Sequence, residues 1–239
     1  FALVIGDKGQ QLSRVERGVA IQNSLNAMDN ALIESIKSNP DRVSSLFLLF
    51  NLTLLPDDIV NHIEHLNPTL LSHEWEDVNA LYEKTKEMCA VRCKAKRMID
   101  ENGAAFDFTS KDINGNEFTL SSLRGKWVVL DFWGSWCGPC MRGVPMMKRY
   151  YDRYRGKMEI VGIACNDKQE QWRKAVEKND MSWINIFHPD DTLPANSIMM
   201  NYAVTNFPTK VIITPEGHLH KVFVGETEDF YTEIDAIMK

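Results

Sequence analysis

The chain has 239 residues, 27 Lys and Arg against 33 Asp and Glu for a net charge of −6, and it is 44% apolar and 25% charged. These are globular proportions that exclude disorder, collagen-like repeats and coiled coil, and at roughly 150 residues per domain the length allows between one and two domains. The mildly acidic total also excludes an electrostatic nucleic-acid binder, which needs a basic face.

From Ile21 the apolar positions Leu25, Met28, Leu32 and Ile36 recur at helical spacing, so they share one face of a helix that Asn39-Pro40 ends. Asp41 is an N-cap for a second helix, apolar nearly all round as far as Leu55, and Pro56-Asp57 restarts the chain into a short helix to about Leu66. The run Leu46 to Phe50 falls far short of the roughly 20 residues of a membrane span. Asn51-Leu52-Thr53 matches a glycosylation acceptor but lies inside that apolar run, and His62 and His65 lack the spacing of zinc-binding helices. Ser72 caps a long helix to about Ile99 with Leu71, Trp75, Val78 and Tyr82 on one stripe, which Cys89 and Cys93 extend. Those two cysteines read as small apolar side chains in a helix interface. The chain opens at Phe1 with no initiator Met and no basic-then-apolar segment, so an export signal is expected outside it.

Near residues 100 to 103 the texture changes, and we place a boundary there between a helical region, 1–102, and a second domain, 103–239. Phe106 to Thr109 and Glu117 to Leu120 flank Asn114-Gly115, a hairpin turn dipeptide. Trp127 to Trp133 is a continuous apolar run with one charge, Asp131, as in a buried central strand, and Glu159 to Ala164 is another. A helix follows over about Lys168 to Lys178. Lys210 to Thr214 and Leu219 to Val224 pair around Pro215-Glu216-Gly217, and Thr227 starts a final helix. This order predicts an α/β fold, a mixed sheet flanked by helices, preceded by an all-helical region.

Five cysteines, Cys89, Cys93, Cys137, Cys140 and Cys165, are too few for a disulfide-stapled scaffold, and their spacing carries more than their number. Cys137-Gly138-Pro139-Cys140 follows the buried strand directly and opens a helix. At a helix N-terminus, unpaired amides and the helix dipole favour a thiolate over a thiol. Cys140, one turn further in, is placed to attack a mixed disulfide formed by Cys137, leaving an intramolecular disulfide. Zinc would need a second ligand pair, available only if Cys89 and Cys93 fold over the site, so no metal is expected; a purely structural disulfide is the other plain alternative. Cys165 ends a predicted strand and packs there, and His188, His218 and His220 form no constellation.

These residues resemble the thioredoxin superfamily, and more narrowly the TlpA/ResA-like thiol-disulfide oxidoreductases that are grouped with the AhpC/TSA and redoxin families. The resemblance covers Gly103 to Lys239: Ala105 to Phe108 looks like the entry strand, Leu123 to Lys126 the lead into the central strand, and Val128 to Cys140 the active-site block. It implies catalytic roles for Cys137 and Cys140 and a buried carboxylate, Asp131, that relays a proton to and from Cys140, although Asp131 also reads as a carboxylate simply hydrogen-bonded in the sheet. It implies a cis peptide bond at Phe207-Pro208, where a trans proline opening an edge strand is the bland reading. There the residue before Pro208 pairs with an extended substrate, beside Trp136, Gly138 and Pro139. Trp133 reads either as part of that apolar apron or as core. Pro145 matches the proline inside the active-site helix. Many TlpA-like members carry Glu three residues after the second cysteine; here that position is Gly143, which leaves proton transfer to Asp131 or water.

The expected activity is therefore thiol-disulfide exchange without cofactor, in the reducing direction, since Gly-Pro between the cysteines is the thioredoxin pair and thioredoxin lies near −270 mV. The resemblance further implies protein disulfides as substrates, a membrane-linked thiol reductant, and an extracytoplasmic, periplasmic location. A peroxiredoxin-type peroxidase needs a P-x-x-x-T-x-x-C loop, which this chain lacks. A third reading makes the helical half a partner-binding module for which the dithiol only docks.

Overall fold

A computed structural model describes residues 76–189 and 193–239, with helical positions at Ala27, Asn30, Ala31, Glu34, Ser35 and Ser38 before them. Those early positions are exposed and interleave with the apolar stripe expected from Ile21 onward. The helices expected between 41 and 66, His62, His65, Asn51 and the Cys89 side chain lie outside the described residues. The chain divides into two compact units, Phe1–Cys93 and Lys94–Lys239.

Helix α1 spans Glu76–Asp100. The order then runs β1 (Thr109–Lys111), β2 (Glu117–Thr119), a 3₁₀ turn at Leu120–Leu123, β3 (Trp127–Trp133), α2 (Gly138–Arg153), β4 (Met158–Ala164), α3 (Gln169–Lys178) and β5 (Ile184–Phe187). After a 3₁₀ turn at Pro194–Asn196 come α4 (Ile198–Asn201), β6 (Thr209–Ile213), β7 (Leu219–Val224) and α5 (Glu228–Ile237). Strands β5-β4-β3-β6-β7 form one sheet, in which β3 runs parallel to β4 and antiparallel to β6.

Strand β1 starts three residues later than its sequence suggests, while β2 starts at Glu117 as expected. Thr109 pairs with Thr119, and Phe106 to Phe108 stay outside the strand. The Asp112 carboxylate accepts the backbone N–H groups of Asn114 and Asn116 at 2.9 and 2.8 Å, and this places the turn and pulls the strands toward it. Strand β5, four residues at the sheet edge, was not expected from the sequence.

Period-two alternation sorts β3 onto two layers. Val128, Leu130 and Phe132 join Phe108, Phe118, Leu120, Ile198 and Tyr202 on one face. Val129 and Trp133 join Cys137, Cys140, Val144, Met147, Trp172, Phe230 and Tyr231 on the other. Asp131 shares the parity of Val129 and Trp133, so its carboxyl belongs to the layer that holds the dithiol. Trp133 is therefore core, 2% exposed. Each buried Leu, Ile or Phe in these layers contributes about 1.5–3 kcal/mol on leaving water, which is what fixes the parity of the one charged residue among them.

Candidate active site

Strand β3 delivers the chain to Gly134-Ser135-Trp136, and α2 begins at Gly138. Cys137 is the N-cap of α2 and Pro139 lies in its first turn, where a missing N–H costs nothing. The Cys137 sulfur accepts the Cys140 backbone N–H at 3.2 Å. Helical spacing brings the two cysteines to 5.3 Å between Cα atoms, and they form a disulfide.

Asp167, which sequence reading missed, clamps the loop in front of the disulfide. Its carboxylate accepts the Ser135 backbone N–H at 2.6 Å and the Ser135 hydroxyl at 2.8 Å. Trp136 folds back over the same loop. Its indole N–H donates to the Cys165 carbonyl at 3.3 Å, and a Cβ at Gly134 would stand 2.7 Å from its Cε2, so only glycine fits beneath the ring. Cys165 itself is buried at the end of β4.

The Phe207-Pro208 peptide bond is cis. The Phe207 ring meets Trp136 edge-on at 5.4 Å and packs against the layer containing both cysteines. Cys137 and Cys140 are only 3% and 5% exposed, whereas Trp136 is 54% exposed. The face offered to a visitor is therefore aromatic, with the sulfurs set behind it.

Asp131 is directly opposite Lys210 in the β3–β6 register, so both side chains leave the same face of the sheet. Lys210 Nζ lies 3.7 Å from Asp131 Oδ1 and 2.6 Å from Glu226 Oε2. Tyr231 donates its hydroxyl to the other Glu226 oxygen at 2.5 Å. Lys210 is 2% exposed, and Asp131 Oδ1 has no hydrogen-bond partner among the described residues. Burial raises the Asp131 carboxyl above its ordinary value; Lys210 opposes the rise and Glu226 adds to it. Burial thus makes the Asp131 carboxyl a stronger proton acceptor than an exposed aspartate.

The remaining candidates separate. His188 is buried against Ser197 at 3.1 Å and His220 pairs with Glu233 at 2.9 Å. Among the described residues no group of three metal-capable side chains converges, and no helix is long and apolar enough to cross a membrane. Sequence reading also missed Lys210, Glu226 and Tyr231. The available signal was a lone lysine in the otherwise apolar run Thr209 to Ile213, facing a lone aspartate in another, since buried charges of opposite sign are expected to meet.

Comparison with known proteins agrees with this geometry. The Thioredoxin-like family model matches residues 125–219. The thiol-disulfide oxidoreductase ResA of Bacillus subtilis is 33% identical over 131 residues, 54% of this chain and 70% of that protein. ResA of Geobacillus thermodenitrificans is 28% identical over 145 residues, 59% of this chain and 80% of its own. Among solved structures, a DsbE-type thiol:disulfide interchange protein of Chlorobium tepidum aligns with a TM-score of 0.51 and 27% identity over 57% of this chain and 96% of that one. The thioredoxin domain of a Bacteroides vulgatus thiol-disulfide oxidoreductase shares the fold, with a TM-score of 0.53 at 24% identity over 58% of this chain and 97% of that one. With its dithiol centre, mixed five-stranded sheet and ResA relatives, the chain belongs to the thioredoxin superfamily as a ResA-like thiol-disulfide oxidoreductase.

Proposed function

We propose that the protein reduces disulfides of partner proteins by cycling Cys137 and Cys140 between dithiol and disulfide. The observation that carries the reading is the Cys137–Cys140 disulfide at the head of α2, behind the Trp136–Phe207 aromatic pair and on the same sheet face as the buried Asp131.

Cys137, at the N-terminus of α2, attacks a partner disulfide as the thiolate, and one partner sulfur leaves with the electron pair of the broken bond. Cys140 then gives its proton to Asp131, and its thiolate attacks the Cys137 sulfur. The second partner sulfur leaves and is protonated. The partner gains two electrons and two protons, and the protein closes its own disulfide.

The partner segment lies along Trp136, Gly138, Pro139, Phe207 and Pro208, where an extended chain pairs with the backbone before the cis-proline. The Gly-Pro pair between the cysteines supports the reducing direction, by analogy with the strongly reducing potential of thioredoxin. Regeneration then requires a second dithiol, which we assign to a membrane-linked reductant, and the family resemblance supports a periplasmic setting. We keep 1–102 as a helical region distinct from the catalytic domain 103–239.

The test is substrate trapping with Cys140→Ser. The variant should accumulate mixed disulfides through Cys137 with proteins of the source organism, and Cys137→Ser should accumulate none. Equal capture by both variants, or capture by neither, would overturn the reading.

A further inference from the structure

Gly143 occupies the buried face of α2, three residues after Cys140. A Cβ there would stand 2.5 Å from Glu226 Cδ and 2.7 Å from Oε1, closer than real side chains approach. The absent side chain leaves room for a carboxylate that arrives from another segment. Residues three apart on a helix have Cβ positions about 5–6 Å apart, so that carboxylate sits about one turn from Cys140.

Glu226 does not reach this place by chance of rotamer. Its loop follows β7 and is tied down where Gly225, with φ +87°, donates its N–H to the Pro208 carbonyl at 2.7 Å. Its two oxygens are then taken by Lys210 Nζ and the Tyr231 hydroxyl. Lys210 in turn is the cation beside Asp131 and lies over the Phe230 ring at 5.5 Å. Helix α2, strands β3 and β6, the cis-proline loop and helix α5 thus all supply groups to one buried cluster.

We propose that Glu226 is a positioning residue for the proton that Asp131 takes from Cys140 in the resolving step. This rests on the function proposed above and deepens it. In that step Cys140 Sγ–H gives its proton to Asp131, the freed electron pair forms the Sγ–Sγ bond to Cys137, and the bond from Cys137 to the partner breaks toward the partner sulfur. Two charges decide whether Asp131 can hold the proton. Lys210 alone would pin it as a carboxylate, a weak base. Glu226 neutralises Lys210 at 2.6 Å and returns the affinity to Asp131. The titratable and charged groups facing Asp131 are Lys210, Glu226 and Tyr231, with the two cysteines in the layer on the same face of the sheet. Tyr150, whose ring lies 4.9 Å from that of Tyr231, is directed instead to Asp235.

The test follows a single turnover of the reduced full chain with a protein disulfide, across pH. Glu226→Gln should move the midpoint of the pH–rate profile down by about one pH unit. It should also slow resolution about tenfold, less than the roughly 100- to 10,000-fold that loss of a general base itself costs, since Asp131 remains in place. The double variant Lys210→Met/Glu226→Gln removes both charges, and since Lys210 is the stronger influence on Asp131 its midpoint should move up. Glu226→Ala/Gly143→Glu returns a carboxylate to the same space from α2 and should recover most of the rate. Midpoints that stay put, or that move in the same direction in Glu226→Gln and the double variant, would overturn the inference, whether or not the rates fall. A wild-type protein that leaves the disulfide intact at every pH would overturn the proposed function itself.

Discussion

Asp131 and Lys210 face each other across β3 and β6, with Nζ 3.7 Å from Oδ1, while Lys210 Nζ lies closer to Glu226 at 2.6 Å. Lys210 is thus shared unequally, and Asp131 is the carboxylate left undersatisfied.

That inequality has a signature in stability. Burial raises the Asp131 carboxyl above 3.8, so the folded state binds a proton that the unfolded chain releases. Between those two values stability falls as pH rises, and above the folded value the full cost of an ionised buried group remains. Asp131→Asn removes that cost. It should stabilise the oxidised protein by about 1 kcal/mol at neutral to alkaline pH, a rise of about 2–4 °C in melting temperature for a chain of this size. The gain should vanish toward acidic pH, as scanning calorimetry over a pH series would show.

Gly143 gives a reversal of the usual rule. Gly to Ala inside a helix ordinarily stabilises by about 1 kcal/mol. Here the added methyl meets the anchored Glu226 carboxylate, and Gly143→Ala should instead destabilise by about 1–3 kcal/mol, as overpacking does. In a Glu226→Ala background the same change should become neutral or stabilising, measured by urea denaturation of the two pairs.

Asp167 holds Ser135 through both its backbone and its hydroxyl. Hydrogen bonds to a charged group are worth about 1.5–3 kcal/mol. Asp167→Ala should therefore release the loop before Cys137, with faster amide exchange at Ser135 and a modest loss of global stability.

Trp136 is the exposed half of the aromatic pair beside the cysteines. Truncating an aromatic anchor at a contact surface costs about 1–2 kcal/mol or more. Trp136→Ala should lower kcat/KM for a protein disulfide about tenfold, equivalent to about 1.4 kcal/mol, while a small-molecule disulfide that makes no such contact loses far less. Equal losses on both substrates would assign Trp136 to the chemistry instead.

The dithiol and Asp131 were legible in the sequence because each is local, a helix cap and a lone charge in an apolar run, whereas the cis-proline was legible only through the resemblance of Phe207-Pro208-Thr209 to the family's loop. Strand β5 was not, since four residues at an edge, Ile184 to Phe187, carry too short a pattern to separate from a loop. The late start of β1 depended on Asp112 capturing the turn, a side-chain preference that the dipeptide Asn114-Gly115 does not encode. Glu226 was hidden for a different reason. Its place is set by the antiparallel register of β6 and β7 and by the loop after them, and no spacing along the chain links residue 226 to residue 143. The faint trace was Gly143 itself, a glycine on the buried face of an amphipathic helix, where something must come close to justify its cost.

The central claim is that Cys137 is the attacking thiolate, made acidic by its position at the head of α2. Ultraviolet titration of the reduced protein with Cys140→Ser, following thiolate absorbance against pH, tests it most directly. The account predicts a midpoint for Cys137 clearly below the about 8.5 of a free cysteine. A midpoint at or above that value would contradict it.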